Sequence, residues 1–356
     1  MAPSSLVRCQ NALVMIHKLD STNAFIAFDL DEAPGAVGVV RQARKILQDG
    51  AKLLARSTTY SFASFEMQRG GASAGISVDE EGRTEAVASF ATEVASLASA
   101  GRLSLDAGKG VDPSELADVA DDRSELRLAV TNGVSLADDV RGLGALAAAV
   151  VAFGDLDGKS IAVEGFDAAG LALTRQAAKH GAKIDAVATP AGAAHHPDGF
   201  GADQLAQAYA DHGAGLVKEL GVDTLPAWQI LGADVDLLFP GSKTGLITHE
   251  SDVSPDLKGI VPIGPVPYTT KALATLDRAG VTVLPDFVTA GGMVHTWYPA
   301  DGATADEVRT TAIEAVASRT REVMAADDPP VLAACQMAEA YLRTWQDALP
   351  YGRPMA

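Results

Sequence analysis

The sequence predicts an α/β protein of two domains, the second built on a doubly wound, mostly parallel sheet. Its 356 residues suffice for two domains that each bury a core. Beyond Gly158, short β-branched runs alternate with helix-length amphipathic segments: IAVEGF at 161–166, IDAVAT at 184–189, VDLLFP at 235–240, IVPIG at 260–264 and VTVLPD at 281–286. Parallel neighbours need crossover connections, and helices between such runs supply them on both faces of a sheet. Before Gly158 that alternation is missing, so the first part of the chain forms a separate unit.

Along the first domain, Ala12–Leu19 and Ala24–Leu30 are apolar, β-rich runs joined by the polar Asp20-Ser21-Thr22-Asn23, the pattern of a hairpin. From Ala36 to Arg56 the residues Val39, Val40, Ala43, Ile46, Leu47, Leu53 and Leu54 fit helical spacing, with Arg41, Arg44, Lys45 and Lys52 left for solvent. A second helix is expected over about Thr84–Ala100, then a short helix and loop in the acidic stretch Asp112–Glu125. In the tail, Thr304-Ala305-Asp306-Glu307 has capping-box spacing and opens a helix reaching about Ala325. Asp328-Pro329 starts another, with Val331, Leu332, Cys335, Ala338, Leu342 and Trp345 at helical spacing.

Composition narrows the function. No apolar run approaches the roughly 20 residues of a membrane span, and the opening residues lack the pattern of a secretory signal, so the expected location is cytoplasmic. Two cysteines, Cys9 and Cys335, make no disulfide framework. A formal net charge of −18 disfavours nucleic acid and anionic membrane as partners, leaving a small-molecule ligand. His195 and His196 have no third ligand at metal spacing, so no metal is expected and HPDG at 196–199 reads as a turn. Trp228, Trp297 and Trp345 are scattered, as packing residues are.

The segment DGKSIAVEGFDAAGLALTRQAAKHGAKIDAVA, from 157 to 188, is a strand, a tight turn, a helix and a second strand, the frame of a dinucleotide fold. Its three fingerprint positions are Gly165, Asp167 and Gly170, with Phe166 between the first two. The middle one should let a diphosphate approach the helix N-terminus, and a carboxylate there repels it. After the second strand, where an acidic residue usually meets the ribose hydroxyls, stands Thr189, followed by Pro190. Two readings stay open: NAD or NADP held in a modified way, or a fold that has kept its shape and lost its nucleotide.

The order of motifs across nearly the whole chain is informative: GGASAGI at 70–76, DAG at 106–108, the dinucleotide unit, HPDG, VDLLFPGSKTGLIT at 235–248, GPVPYTT at 264–270 and LPDFVTAGG at 284–292. It resembles the glutamate/leucine/phenylalanine/valine dehydrogenase family, and the second half is most similar to the glutamate branch. The resemblance implies an N-terminal α/β substrate and oligomerisation domain, residues 1–135, to which the C-terminal helices of about 326–356 return. It implies a Rossmann-like domain over 136–325, homo-oligomers, and a nicotinamide cofactor.

It also places the site residues. Ser61 stands where the family has a lysine that binds the substrate carboxylate, and Ser73 where GG-x-K supplies the lysine that activates water. A hydroxyl supplies neither the charge nor the near-neutral base. Asp106 matches the catalytic aspartate, Thr296 a serine near the substrate side chain, and Gly70 and Gly71 the glycines of the substrate motif. Gly245 and Val266 replace asparagines on the cofactor side, while Arg69 and Lys109 bring cations where the family has none. His295 is the nearest base by family geometry for either serine. Ordinary amino acid deamination is therefore not expected. An oxidoreductase on an altered substrate, a catalytically silent binding or regulatory subunit, and a non-redox enzyme on the same fold remain.

Overall fold

In a computed structural model, described for residues 14–117, 119 and 124–356, the chain divides into two compact units. The first comprises Met1–Asp121 with Cys335–Pro354, and the second Asp122–Ala334 with Met355–Ala356. Cys9 and parts of the hairpin and acidic-stretch expectations, at 12–13, 118 and 120–123, lie outside the described residues.

The first unit contains β1 (Met15–Lys18), β2 (Ala24–Phe28), β3 (Ala36–Ala43), α1 (Gln48–Ser64), β4 (Gly70–Ser77), α2 (Arg83–Ser99) and β5 (Leu103–Ala107). β1 and β2 form the expected hairpin, in register Met15↔Phe28 to Lys18↔Phe25. They belong to a sheet of order β1-β2-β4-β3-β5, in which β3 runs parallel to both β4 and β5. On one face, alternate residues such as Ile26, Val40, Ala74, Ile76 and Leu105 pack with Val87, Phe90 and Val94 of α2. On the other, Ala51 and Ala55 of α1 pack on Phe25 and Ala27.

The helix expected over Ala36–Arg56 is instead the interior strand β3 followed, after a bend, by α1. The first five residues of β3, 36–40, are all apolar or glycine and so do not alternate, and Val39, Val40 and Ala43 satisfied helical spacing by coincidence. Arg41, expected to face solvent, is half-buried within the sheet.

Arg56 of α1 is buried against Asp29, with Nε–Oδ1 at 2.6 Å, and also donates to the carbonyls of Tyr351 and Gly352. Tyr60 and Arg353 both bond Glu339. The C-terminal segment is thus fastened to α1 by buried polar contacts within one unit.

The second unit holds α3 (Ser124–Leu128), a ribbon of β6 (Val130–Thr131) and β7 (Val134–Ser135), α4 (Leu136–Phe153), β8 (Ser160–Glu164), α5 (Ala168–Lys179), β9 (Lys183–Thr189), β10 (Gly192–Phe200) and α6 (Ala202–His212). There follow β11 (Leu237–Pro240), β12 (Gly259–Ile260), α7 (Thr270–Arg278), β13 (Thr282–Val283), α8 (Asp286–Thr289), α9 (Val294–Trp297), α10 (Ala305–Met324) and α11 (Pro330–Leu342), the last passing into the first unit at Cys335. The sheet order is β10-β9-β8-β11-β12-β13, parallel except for β10, so the doubly wound expectation holds. Thr304 and Glu307 close the anticipated capping box.

Two expectations fail here. HPDG is part of β10, an edge strand whose pairing with β9 slips between His195 and Phe200; Gly199, at φ +80°, accommodates the irregularity that the sequence presented as a turn. Trp228 is 65% exposed and does not pack, whereas Trp297 is buried with the Arg127 guanidinium 3.5 Å above its ring. Among the described residues no helix is long and apolar enough to cross a membrane.

Candidate functional site

Each unit carries part of the predicted site. In the first, strand alternation decides which side chains share a face. Because Ala72 and Ala74, Ala36 and Val40, and Leu103 and Leu105 face α2, Ser73, Val39, Arg41 and Asp106 face the opposite way. The register sets Ser73 beside Val39 and Val39 beside Asp106, one row across β4, β3 and β5. α1 lies over β2 and β4, and Val39, Arg41, Ser104 and Asp106, toward the β5 edge, stay half-buried.

Gly71 fixes how closely α1 approaches β4. A Cβ there would lie 1.9 Å from the Ala55 carbonyl oxygen, and its amide donates to Thr59 Oγ at 2.9 Å. Gly70, next to it, is buried against Ala33 and Leu30. Ser61 donates back to the Ser57 carbonyl at 3.0 Å, within its own helix. Ser73, 2% exposed, accepts from Arg41 Nη2 at 3.3 Å. Arg69 donates to the adjacent Gln68 carbonyl, and Lys109 is exposed. The cation that bonds Ser73 is Arg41. The sequence did carry a signal for Arg41: Pro34-Gly35 followed by the β-branched run AVGVV reads as a strand entering from a turn.

A cavity of about 130 Å³ in the same unit lies away from this row, lined by Phe28, Leu30, Leu97 and Arg102 on the α2 side.

In the second unit the strand order reverses at β8, the switch point where such sheets take ligands beyond their strand ends. Gly165, at φ +76°, turns the chain there, and a Cβ on it would come within 2.5 Å of the Ser242 amide nitrogen. Glu164 accepts from the Gly241 and Ser242 amides at 3.2 and 3.1 Å, tying the β11 loop to the end of β8. Phe166 is buried edge-on to Tyr209.

Asp167 is the N-cap of α5. Its Oδ1 accepts from the amides of Ala169 and Gly170 at 3.0 and 3.1 Å, and its Oδ2 from Arg141 at 2.7 Å. Burial works against the Arg141 charge, but Asp167 and Asp138 together outweigh it and hold its pKa above the ordinary value. The amides and the positive end of the helix that would receive a diphosphate are thus engaged by the protein's own carboxylate. Thr189 donates to the Ala214 carbonyl at 2.6 Å and accepts from the Ala191 amide, and it offers no carboxylate to a ribose. These residues do not fit a dinucleotide held in the usual way.

Val266 is buried at φ +51°, its carbonyl accepting from Gly245 and its amide donating to Asp286. A β-branched residue in the left-handed region costs about 1–2 kcal/mol. We expect Val266→Gly to be more stable than Val266→Ala by about 0.5–1 kcal/mol, the reverse of the usual order, because glycine escapes that penalty. Paired urea melts read the difference, and an alanine variant at least as stable as the glycine one refutes it. Thr296 is fully buried and donates to the Met293 carbonyl; burial holds the nearby His295 below the ordinary histidine pKa.

Residues 133–344 match the family model described as glutamate/leucine/phenylalanine/valine dehydrogenase. NADP-specific glutamate dehydrogenase A1 of Halobacterium salinarum is 30% identical over 145 residues, 40% of this chain and 35% of its own length. Glutamate dehydrogenase of Aeropyrum pernix is 31% identical over 142 residues, 40% and 34% of the two chains. The chain therefore matches about a third of the length of these curated relatives. Among solved structures, a hetero-hexameric glutamate dehydrogenase of Thermus thermophilus in a Leu-bound form aligns with TM-score 0.70 and 23% identity, over 89% of this chain and 84% of that one. L-tryptophan dehydrogenase of Nostoc punctiforme aligns with TM-score 0.62 and 18% identity, over 93% and 95%.

Proposed function

The chain belongs to the glutamate/leucine/phenylalanine/valine dehydrogenase family, and from that premise we propose that it is a catalytically silent member, a cytoplasmic small-molecule-binding subunit that works without a nicotinamide nucleotide. The observation that carries the reading is the Asp167 carboxylate on the α5 amides, paired with Arg141. Ser61 and Ser73 in place of two lysines agree with it, since the electrostatic clamp and the acid–base group are both gone. The Thermus thermophilus relative is described as hetero-hexameric and Leu-bound, which supports a role in an oligomer, of its own copies or mixed with an active relative.

Titration with NADH and NADPH tests the proposal directly. No saturation is expected up to about 1 mM, a binding free energy weaker than about −4 kcal/mol. Saturable binding at micromolar nucleotide overturns it. That result would favour a second reading, an oxidoreductase acting on an altered substrate, which the family membership and the retained Asp106 support.

A further inference from the structure

We infer that the second unit carries a groove for an extended peptide, and that Met355 and Ala356 fill it as a displaceable ligand supplied by the chain itself. The inference stands apart from the nucleotide reading, because none of its groups belongs to the N-terminus of α5. Both residues are part of the second unit. The Ala356 amide donates to the Tyr268 carbonyl at 3.3 Å, and the Thr270 amide donates to the Ala356 main-chain oxygen at 3.1 Å. This is strand-like pairing of one residue with the run that leads into α7. That run is also paired with a second partner, since the Ile247 amide donates to Pro267 and the Thr269 amide to Ile247. Ala356 therefore adds a third run to a short ladder. Thr270 is the first residue of α7, so its amide has no acceptor within the helix, and Ala356 supplies one.

Side chains set what the groove selects. Met355 is half-buried against the apolar cluster that contains Ile247, Tyr268 and Ala272. A thioether on an unbranched, flexible stem fills an irregular gap and leaves it without disturbing its neighbours. Gly245 borders Ala356: a Cβ on the glycine would come 3.4 Å from the alanine Cβ, and its φ of +65° disfavours any other residue there. The ligand class is therefore an extended peptide in which a flexible apolar residue is followed by a small one. Two main-chain hydrogen bonds and one half-buried side chain make a weak attachment. The covalent tether keeps the groove occupied, since a short linker holds a segment at an effective concentration on the order of millimolar.

The test is hydrogen exchange of the amides over 266–272, read by mass spectrometry, in the full chain carrying Met355→Asp, which keeps the tether and removes the apolar anchor. Exchange there should run about tenfold faster than in the wild-type protein, the equivalent of one net hydrogen bond. The peptide Tyr-Gly-Arg-Pro-Met-Ala, which copies residues 351–356, is then added at about 10 mM, above the effective concentration of the tether. It should restore protection in the variant and change nothing in the wild type. The same peptide with Asp in place of Met should restore none. A chain lacking Met355 and Ala356 should behave as the variant does. The inference is overturned if the variants exchange no faster than wild type, if the peptide protects neither of them, or if both peptides protect alike. Equal added protection of the wild-type protein also overturns it, since its groove would then be empty. Unfolding of both variants overturns it too, because the segment would be core and not ligand. Nucleotide titration is read separately: saturable NADH binding would sink the proposed function and leave this inference standing.

Discussion

Asp167→Gly is expected to let NADH bind where the wild-type protein does not. The carboxylate does two things at once: it engages the Ala169 and Gly170 amides, and it places a negative charge where a diphosphate would lie. Repulsion between unit charges 4 Å apart is about 1 kcal/mol in bulk water and about 4 kcal/mol at an effective dielectric of 20, or about five-fold to a thousand-fold in Kd. Arg141, released from Asp167 but still paired with Asp138 at 2.9 Å, would then face the incoming phosphate. Exchanging an Asp N-cap for Gly costs the helix only a few tenths of a kcal/mol, so the variant should fold. Fluorescence titration with NADH measures the gain. If the variant binds no better than the wild type, the self-capped helix is not what excludes the nucleotide.

Removal of the Asp29 carboxylate should destabilise the first unit by about 3–5 kcal/mol. Asp29 and Arg56 are fully or almost fully buried, and burial pushes the Asp29 carboxyl above its usual range while Arg56 and Thr59 pull the other way. In Asp29→Ala the guanidinium stays behind without its partner, still holding the Tyr351 and Gly352 carbonyls. Hydrogen exchange of the α1 and β4 amides should report the loss. The double variant Asp29→Leu with Arg56→Met should recover most of it, because replacing both members removes the stranded charge. A single variant within about 0.5 kcal/mol of wild type would show that water reaches the pair.

Not every element was equally legible. The doubly wound domain was, because its strands are short apolar runs between helix-length segments and some of its helices bring a boundary signal, as Thr304 and Glu307 do for α10. β3 was misread as helix because its first five residues, 36–40, are all apolar or glycine and so show no period of two. HPDG was misread because an edge strand tolerates the proline, glycine and charge that ordinarily mark turns. Ser61, Ser73 and Asp167 could be read from the chain itself, and what their side chains can and cannot supply followed from their chemistry.

The partners of these side chains were not visible. That Asp167 caps α5 and binds Arg141, 26 residues earlier, depends on α4 and α5 lying together. That Arg41 meets Ser73, 32 residues later, depends on β3 and β4 being neighbours in one register. The sequence by itself determined most element types of the second unit and the family, since those follow from residue identity and local spacing. Only the tertiary structure decided which charge stands beside which hydroxyl or amide, because such pairs are made between segments whose separation along the chain says nothing of their distance in space.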